Sequence, residues 1–386
     1  MTGEVLKITG FKKGFFRVKS LVIALWLSFL FLPFKGLKAS LILFVVLSFA
    51  LVFLEFFLGY TKLLRESLQN ISGRIRAIRY PASRIMLYAL FPLLLIFPFV
   101  SSDYFIDVAI LAGIYTILAL GLNVLVGFTG LLNLGFVAFY AIGAYTYALL
   151  NTKLGLGFWS AIPFSIGFST AAGFLLAIPA LRLRGDYLAI VTLGFGEITR
   201  LILNNWDSLT NGPNGISGIA FPSVMSISFE NLTYYYYFVL AFVILTVFIT
   251  KRVYSSKIGR AWIAIREDEV ASSATGINTT RYKIYSFAFG AFWAGLAGTL
   301  FAGKMHFVSP ESFTFMESVF ILCMVIIGGP GSIPGVILGS IILVLLPEIL
   351  REVQLYRMLA LGSGLVLLMI FRPQGLLGGK GASLSS

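Results

Sequence analysis

Residue types that perform catalysis or bind metals are scarce in this sequence. It contains one cysteine, Cys323, and one histidine, His306, so it lacks a Cys/His pair for nucleophilic catalysis and the ligands of a zinc, haem or iron–sulfur site. Motifs for a serine nucleophile, a zinc protease or a phosphate-binding loop are also missing. We therefore expect a protein that is not an enzyme, with no catalytic residues, no metal and no cofactor, in which His306 is a satisfied loop residue.

Few charged side chains fall within apolar segments. Glu197 and Arg200 are three residues apart in LAIVTLGFGEITRLILNN and can meet on one helix face. We interpret them as a structural ion pair shielded by neighbouring helices, in preference to a transport role. Asp103 and Asp107 flank a turn and are expected to be solvated. Glu317 lies near the start of its segment, where the positive end of a helix favours a carboxylate.

Glycine and asparagine mark a second kind of candidate site. The stretch GLNVLVGFTGLLNLGF is rich in glycine, and so is the later stretch IIGGPGSIPGVILGS. Small residues at such intervals allow close helix packing, and paired interruptions also mark broken helices around a transport path. Both interpretations stay open. The residues that we assign to a substrate path are Asn123, Gly127, Gly130, Asn133 and Gly135.

The composition indicates that these residues lie in a membrane protein. Of 386 residues, 58% are hydrophobic and 12% are charged, whereas soluble domains are about 45–50% apolar and about 25% charged. A helix needs about 20 apolar residues to cross a bilayer. The sequence predicts an all-α polytopic protein with roughly ten to twelve transmembrane or re-entrant helices. The apolar segments are 20–34, 39–60, 85–100, 105–126, 134–151, 158–181, 187–204, 232–250, 284–303, 313–328, 333–349 and 357–371.

The distribution of basic residues predicts the orientation. With the N-terminus inside and all segments crossing, 22 of the 29 Lys and Arg residues fall on the cytoplasmic side, as the positive-inside rule requires. Both termini are then cytoplasmic, the loop 206–231 is outside, and the loop 251–283 is inside. The N-terminal apolar runs have no cleavage site and are expected to be retained helices.

The inner loop 251–283 contains an apolar pattern of its own. Trp262, Ile263, Ile265, Val270, Ala271 and Ala274 recur at near-helical spacing, which predicts an amphipathic helix near 262–275 on the cytoplasmic face. Gly276 is placed to end this helix in a left-handed conformation. Asn278 can cap the next membrane helix.

Several long blocks resemble one family closely. They are GLNVLVGFTGLLNLGFVAFYAIGAYTYALL, LRLRGDYLAIVTLGFGEITRLILNN, NGPNGISGI, GRAWIAIREDEVASSATGINTTRYK, SPESFTFMESVFILCMVIIGGPGSIPGVILGSIILVLLPEILRE and IFRPQGLLG. In this order they resemble the LivM-type permease subunits of branched-chain amino acid ABC importers. The resemblance extends from about residue 109 to residue 377 and implies the ABC importer permease fold.

The resemblance implies a function and a set of partners. The chain would be an inner-membrane permease that forms the translocation path with a second, H-type permease. Two cytoplasmic ATPases, which bind the ATP, and a periplasmic branched-chain amino acid binding protein would complete the importer. REDEVASSATG resembles the coupling helix of such permeases, with Val270-Ala271-Ser272 where Glu-Ala-Ala is usual. The residues that the resemblance assigns to coupling with the ATPases are Arg266, Glu269, Val270, Ala271, Ala274 and Gly276.

The domain assignment follows from these segments. We assign residues 1–84 to an N-terminal extension with two membrane helices and a basic cytoplasmic loop, 85–377 to the core permease, 251–283 to the coupling loop within it, and 378–386 to a C-terminal tail. The nearest rival function is an ABC permease for urea or short-chain amides. An ion-coupled secondary amino acid transporter is a further alternative, although the sequence offers no convincing coupling-ion site.

Overall fold

The computed structural model describes residues 94–181, 183, 185–224, 227–349, 362 and 375–377. The predicted extension 1–84, the predicted tail 378–386 and all of the predicted segment 357–371 except residue 362 lie outside the described residues. The assignment of these regions therefore stays a prediction.

The described part is almost entirely helical. The helices are α1 (Asp103–Asn123), α2 (Val137–Leu154), α3 (Phe158–Ala180), α4 (Asp186–Asn205), α5 (Asp207–Thr210), α6 (Leu232–Tyr254), α7 (Lys257–Glu267), α8 (Glu269–Ala274), α9 (Thr279–Met305), α10 (Phe315–Gly328) and α11 (Ile333–Ile349). A π-helical turn, Val124–Phe128, continues α1, and 3₁₀ turns cover Gly212–Asn214 and Pro310–Phe313. The strands are β1 (Ile216–Ser217), β2 (Ser223–Val224), β3 (Ile227–Ser228) and β4 (Phe307–Val308).

The predicted apolar segments between 105 and 349 all fall on these helices, and 94–100 is also helical. This confirms the all-α class. By length and composition, four of the described helical stretches could cross a membrane: Asp103–Phe128, Phe158–Ala180, Leu232–Tyr254 and Thr279–Met305. Phe315–Gly328 and Ile333–Glu348 are shorter apolar helices. Helices α2 and α4, with 18 and 20 residues, match predicted segments but are less apolar.

Helix α9 lies at the centre of the packing, against α1, α2 and α3. Small residues allow the close approach: a Cβ on Gly143 of α2 would lie 2.4 Å from the Gly295 carbonyl oxygen, and one on Gly298 would lie 2.3 Å from that of Tyr140. The Ser169 hydroxyl of α3 bonds the carbonyl of Phe139 at 2.9 Å and that of Ala291 at 2.7 Å. Glycine packing and one shared hydroxyl therefore hold α2, α3 and α9 together.

The loops predicted to be outside meet at one end of the bundle. Strand β1 pairs antiparallel with β4, with Ile216 opposite Val308. The Lys153 ammonium donates to the Ser208 carbonyl at 3.2 Å, and His306 Nδ1 lies 2.8 Å from the Ile219 carbonyl oxygen. The expectation that His306 is satisfied in a loop is therefore confirmed. Hereafter this end is called the loop end.

An ion pair that the sequence did not predict lies at the loop end. Asp107 is solvated as expected, with 42% of its side chain exposed, and its carboxylate lies 2.8 Å from the ammonium of Lys304. The Lys304 side chain is 9% exposed, and a cation buried to that degree requires a partner. This pair joins α1 to the last turn of α9, a contact between residues almost 200 positions apart.

The single helix predicted near 262–275 is also wrong. Asp268 adopts an extended conformation, with φ −157° and ψ 112°, and separates α7 from α8. Its carboxylate accepts the backbone N–H groups of Val270 and Ala271 at 2.8 and 3.0 Å, so it caps α8. The other two local predictions are confirmed: Gly276 has φ +88°, and the Asn278 side chain accepts the Arg281 N–H at 3.0 Å.

Candidate functional site

Helix α1 does not end as a regular α-helix. Its last turn, Val124–Phe128, widens into a π-helix, a form that often occurs at functional sites. Thr129 closes this turn, because both its N–H and its hydroxyl bond the Val124 carbonyl, at 3.2 and 2.9 Å. Gly130 follows with φ +75°, which favours glycine over residues with a Cβ.

Arg266 joins this turn to the loop between α6 and α9. Its Nη1 donates to the Gly127 carbonyl at 2.6 Å, and its Nη2 lies 2.9 Å from the exposed Glu267 carboxylate. A Cβ on Gly130 would lie 2.9 Å from Arg266 Cγ. The guanidinium therefore satisfies a carbonyl that the π-helical turn leaves without its α-helical partner.

The turn between α10 and α11 completes the same cluster. The Asn123 side-chain oxygen accepts the Gly331 N–H at 2.8 Å. Gly331 has φ +87°, and a Cβ there would lie 3.1 Å from Arg266 Nη1 and 3.2 Å from the Gly127 oxygen. Asn123, Gly127, Arg266 and Gly331 form what we call the junction, which connects α1, α7 and the turn before α11.

Trp262 anchors α7 beside the junction. Its side chain is 1% exposed and packs in a cluster with Val124 and Phe128. Its Nε1–H donates to the Tyr282 carbonyl of α9 at 2.8 Å. The apolar stripe of α7 is therefore buried within the chain, because Trp262 and Ile265 are both buried. Helix α7 is thus fixed to α1 and α9.

Helix α8 keeps its apolar residues exposed. Val270 is 66% exposed, and Ala271 and Ala274 are exposed as well. Val270 and Ala274 line an open cavity of about 390 Å³, together with Glu269, Ser273 and Thr279. The Glu269 carboxylate accepts from the ammonium of Lys283, a residue of α9 whose side chain is 4% exposed, at 2.6 Å. Helix α8 therefore presents an apolar surface while being tied to α9.

The loop between the π-helical turn and α2 inserts into the bundle. The Thr192 hydroxyl of α4 accepts the Leu134 N–H at 3.0 Å, and a Cβ on Gly135 would lie only 1.7 Å from the Thr192 carbonyl oxygen. The N–H of Val137 donates to the hydroxyl of Ser318 in α10 at 3.0 Å. The first turns of α2 and α10 therefore meet.

The stretch 129–136, between the π-helical turn and α2, is called the break. The contact between the first turns of α2 and α10 shows how deep in the bundle it lies. From the contact point α2 runs to the loop end, where Lys153 bonds Ser208. Helix α10 runs the other way, because Gly331 at the turn beyond it bonds Asn123 in the junction. Two helices that start at one point and run to opposite ends must start part-way through the bundle. Broken helices of this kind surround transport sites in membrane proteins.

The five predicted path residues are enclosed in the described conformation, except Gly130. Asn123 and Asn133 are 0% exposed, and Gly127 and Gly135 are buried. Close packing accounts for both of these glycines, because an added Cβ would meet backbone atoms. Their part in a substrate path stays a prediction.

Two amide groups in this region lack hydrogen-bond partners among the described residues. They are the side-chain Nδ2 atoms of Asn123, in the junction, and of Asn133, in the break. A buried polar group without a partner costs about 1–3 kcal/mol. Hydration or a rearrangement around Asn123 and Asn133 would remove this cost.

Glu317 and Glu197 are the carboxylates for which the sequence predicted a structural role. Glu317 lies in the first turn of α10, as predicted, and it accepts a hydrogen bond from the Tyr115 hydroxyl. Glu197 and Arg200 form the expected ion pair at 2.9 Å, but their side chains are 33% and 31% exposed. Neighbouring residues thus shield about two thirds of each side chain, and the structural role of the pair stays a prediction. In the described ranges no three His, Cys, Asp or Glu side chains converge as metal ligands would.

Sequence reasoning missed two members of the site. Gly331 was assigned only to a glycine-rich stretch, and Lys283 only to the basic inner loop. The glycine-rich pattern shared by the two stretches was a usable signal for their meeting, whereas nothing in the sequence pairs Lys283 with Glu269.

Comparison with known proteins gives consistent matches. The family described as "Branched-chain amino acid transport system / permease component" matches residues 104–371. The high-affinity branched-chain amino acid transport system permease protein LivM of Salmonella typhimurium is 48% identical over 317 residues, which cover 76% of this chain and 75% of that protein. LivM of Escherichia coli matches with the same identity and coverage. LivH of Escherichia coli is 27% identical over 69% of this chain and 92% of its own. No solved structure was found to match.

Replacing Gly135 with alanine is predicted to destabilise the fold. The new Cβ would lie 1.7 Å from the Thr192 carbonyl oxygen, and over-packing against backbone costs about 3 kcal/mol or more. Gly194→Ala on α4 is the matched control, because a Cβ there meets nothing within 4 Å and alanine favours a helix over glycine. We expect a large loss of detergent-extracted protein for Gly135→Ala alone. Equal yields of the two variants would contradict the close contact.

Proposed function

Since the chain belongs to the family of branched-chain amino acid transport permeases, we propose that it is a membrane-spanning subunit of an ATP-driven importer for branched-chain amino acids. In this proposal it forms the translocation path with a second, LivH-like permease in the inner membrane. Two ATPases and a periplasmic binding protein complete the assembly. The urea and secondary-transporter alternatives have less support, because the relatives are named for branched-chain amino acid transport.

The observation that carries this proposal is the exposed apolar surface of α8 beside a cavity. Val270, Ala271 and Ala274 are exposed on a loop that the charge distribution assigns to the cytoplasm. A permease without a phosphate-binding loop needs energy from a partner, and this surface offers the ATPase a place to dock. An apolar exposed patch rimmed by polar residues is typical of such interaction sites.

The contacts around α7 supply a route from that surface to the membrane helices. Displacement of α8 would pull on α9 through the Glu269–Lys283 pair. Displacement of α7 would act on the π-helical turn of α1 through Arg266 and Trp262. The Asn123 side chain, directly before this turn, accepts the Gly331 N–H and so connects α1 to the start of α11. ATPase movement would thus reach three membrane helices and the break at 129–136.

The docking proposal predicts that Ala274→Asp abolishes ATP-driven leucine uptake by the complex with its partner permease, ATPases and binding protein. An unpaired charge in a dry interface costs roughly 2–5 kcal/mol, so the ATPases should fail to co-purify while membrane insertion persists. Ala271→Asp should act similarly. Ser255→Asp, which adds the same charge at an exposed position on this loop, should behave as the original protein. Normal uptake by Ala274→Asp would refute the docking surface, and uptake of urea instead of leucine by the original complex would refute the substrate.

The junction proposal predicts that Arg266→Met uncouples ATP hydrolysis from uptake. The variant loses the bond to the Gly127 carbonyl but retains the apolar stem, so assembly should be preserved. We expect leucine uptake to fall at least tenfold while ATP hydrolysis continues. The control is Arg260→Met on the same helix, since Arg260 is exposed and bonds only the nearby Ser255 carbonyl among the contacts described. If both variants transport equally well, the junction does not transmit movement.

The proposed orientation can be tested with single cysteines in a Cys323→Ser background. Reporters at Ser217 and Ser312 should react with an impermeant thiol reagent added outside, because β1 and the 3₁₀ turn at Pro310–Phe313 lie at the loop end. A reporter at Ser255, which is exposed beyond α6, should react only after the membrane is opened. The reverse labelling pattern would place both termini outside.

A further inference from the structure

The Glu197–Arg200 pair is an unusual feature of the described helices. Arg200 donates from Nε and Nη2 to the same Glu197 oxygen, at 3.0 and 2.9 Å. About a third of each side chain is exposed. The pair is therefore complete as an ion pair, yet it faces outward from the subunit.

Its position along α4 places the pair near the middle of that helix. Glu197 is the twelfth residue of a 20-residue helix, about 17 Å from the start at a rise of about 1.5 Å per residue. The preceding residue, Gly196, packs on Gly135, since its Cβ would lie 3.1 Å from Gly135 Cα. Gly135 belongs to the break where α2 and α10 begin, so the pair lies at the level of that break.

Helix α4 has one exposed face, and it is mainly apolar: Ile190, Ile198, Leu201 and Ile202 are 64%, 58%, 49% and 50% exposed. Glu197, Arg200 and Asn204, at i, i+3 and i+7, lie along one edge of this face. This edge is called the polar side of α4. Beside them, a Cβ on Gly194 would meet nothing within 4 Å. Charged groups at this depth face other protein or a water-filled cavity rather than lipid, so the polar side cannot be a lipid surface.

We propose that the polar side of α4, with Glu197 and Arg200, lines the translocation path and binds the zwitterionic backbone of the amino acid. The guanidinium matches the α-carboxylate, which it can bind through two parallel hydrogen bonds. The Glu197 carboxylate matches the α-ammonium. The open space at Gly194 leaves room for an apolar side chain. This inference rests on the proposed function and adds to it the groups that recognise the substrate.

Pairing of the two residues with each other explains how such a site can release its ligand. In the empty site each charge is neutralised by the other, so no uncompensated charge remains. A zwitterion gains two new ion pairs only by breaking the existing one, and the net binding free energy is therefore small. Conduction requires binding that favours entry without trapping the ligand.

The test compares single and double neutral variants in the complete complex. Glu197→Gln, Arg200→Gln and the double variant should each lower leucine uptake at least tenfold, with complex yield within twofold of the original and with ATP hydrolysis retained. A purely structural pair behaves differently, because removing both charges relieves the cost of an unpaired one. Normal uptake by the double variant, or a parallel loss of yield and uptake, would overturn the proposal. The control is Asp107→Asn with Lys304→Gln, which removes the loop-end pair and should leave uptake per complex unchanged.

Thiol labelling tests the location of the pair without relying on transport. In a Cys323→Ser background, Glu197→Cys and Asn204→Cys should react with a charged methanethiosulfonate in the assembled complex. Ile198→Cys and Ile202→Cys on the apolar part of the same helix face should not. Lack of labelling at position 197 in both the nucleotide-free and the ATP-bound complex would show that the second permease covers the pair, which overturns the proposal. Labelling at 197 in a complex that does not take up leucine would refute the proposed substrate while retaining the water-filled path.

Discussion

The hydrogen bond from Arg266 to the Gly127 carbonyl is the contact on which the packing of the junction depends. Within a bilayer, backbone polar groups must be satisfied by the protein itself. The π-helical turn at Val124–Phe128 breaks the regular ladder of α1, and the Arg266 side chain supplies one of the missing partners from a different part of the chain. The requirement to satisfy the backbone of a broken helix thereby links that helix to the loop 251–283.

The two helices of the loop 251–283 have different roles. Helix α7 is buried against α1 and α9 through Trp262, whereas α8 leaves Val270 exposed. Asp268 separates the two by ending one helix and capping the next. One short segment can therefore be rigidly attached to the membrane helices and still present a free surface, an arrangement suited to transmitting a partner's movement.

Polar groups inside the bundle follow two patterns with different energetic consequences. Ser169, Thr192 and Ser318 bond backbone atoms across helices and so stabilise the described packing. The amide nitrogens of Asn123 and Asn133 lack such partners among the described residues, and Glu197 and Arg200 neutralise each other. Groups of the first kind hold helices together. Groups of the second kind, at the break and on the exposed side of α4, are those available for a change of conformation or for a ligand.

The sequence by itself determined the membrane class, the positions of the described helices, the cap at Asn278 and the helix end at Gly276. These depend on hydrophobic runs and on backbone preferences that act over a few residues. Local pattern could not reveal the break at Asp268, where capping competes with an apolar periodicity that continues through it. Only the tertiary structure decided that Arg266 meets Gly127, that Lys283 meets Glu269, and that Glu197 and Arg200 remain exposed. Each depends on which helices become neighbours, and that choice is made by close packing at glycines such as Gly135, Gly295 and Gly298 between segments far apart in the chain.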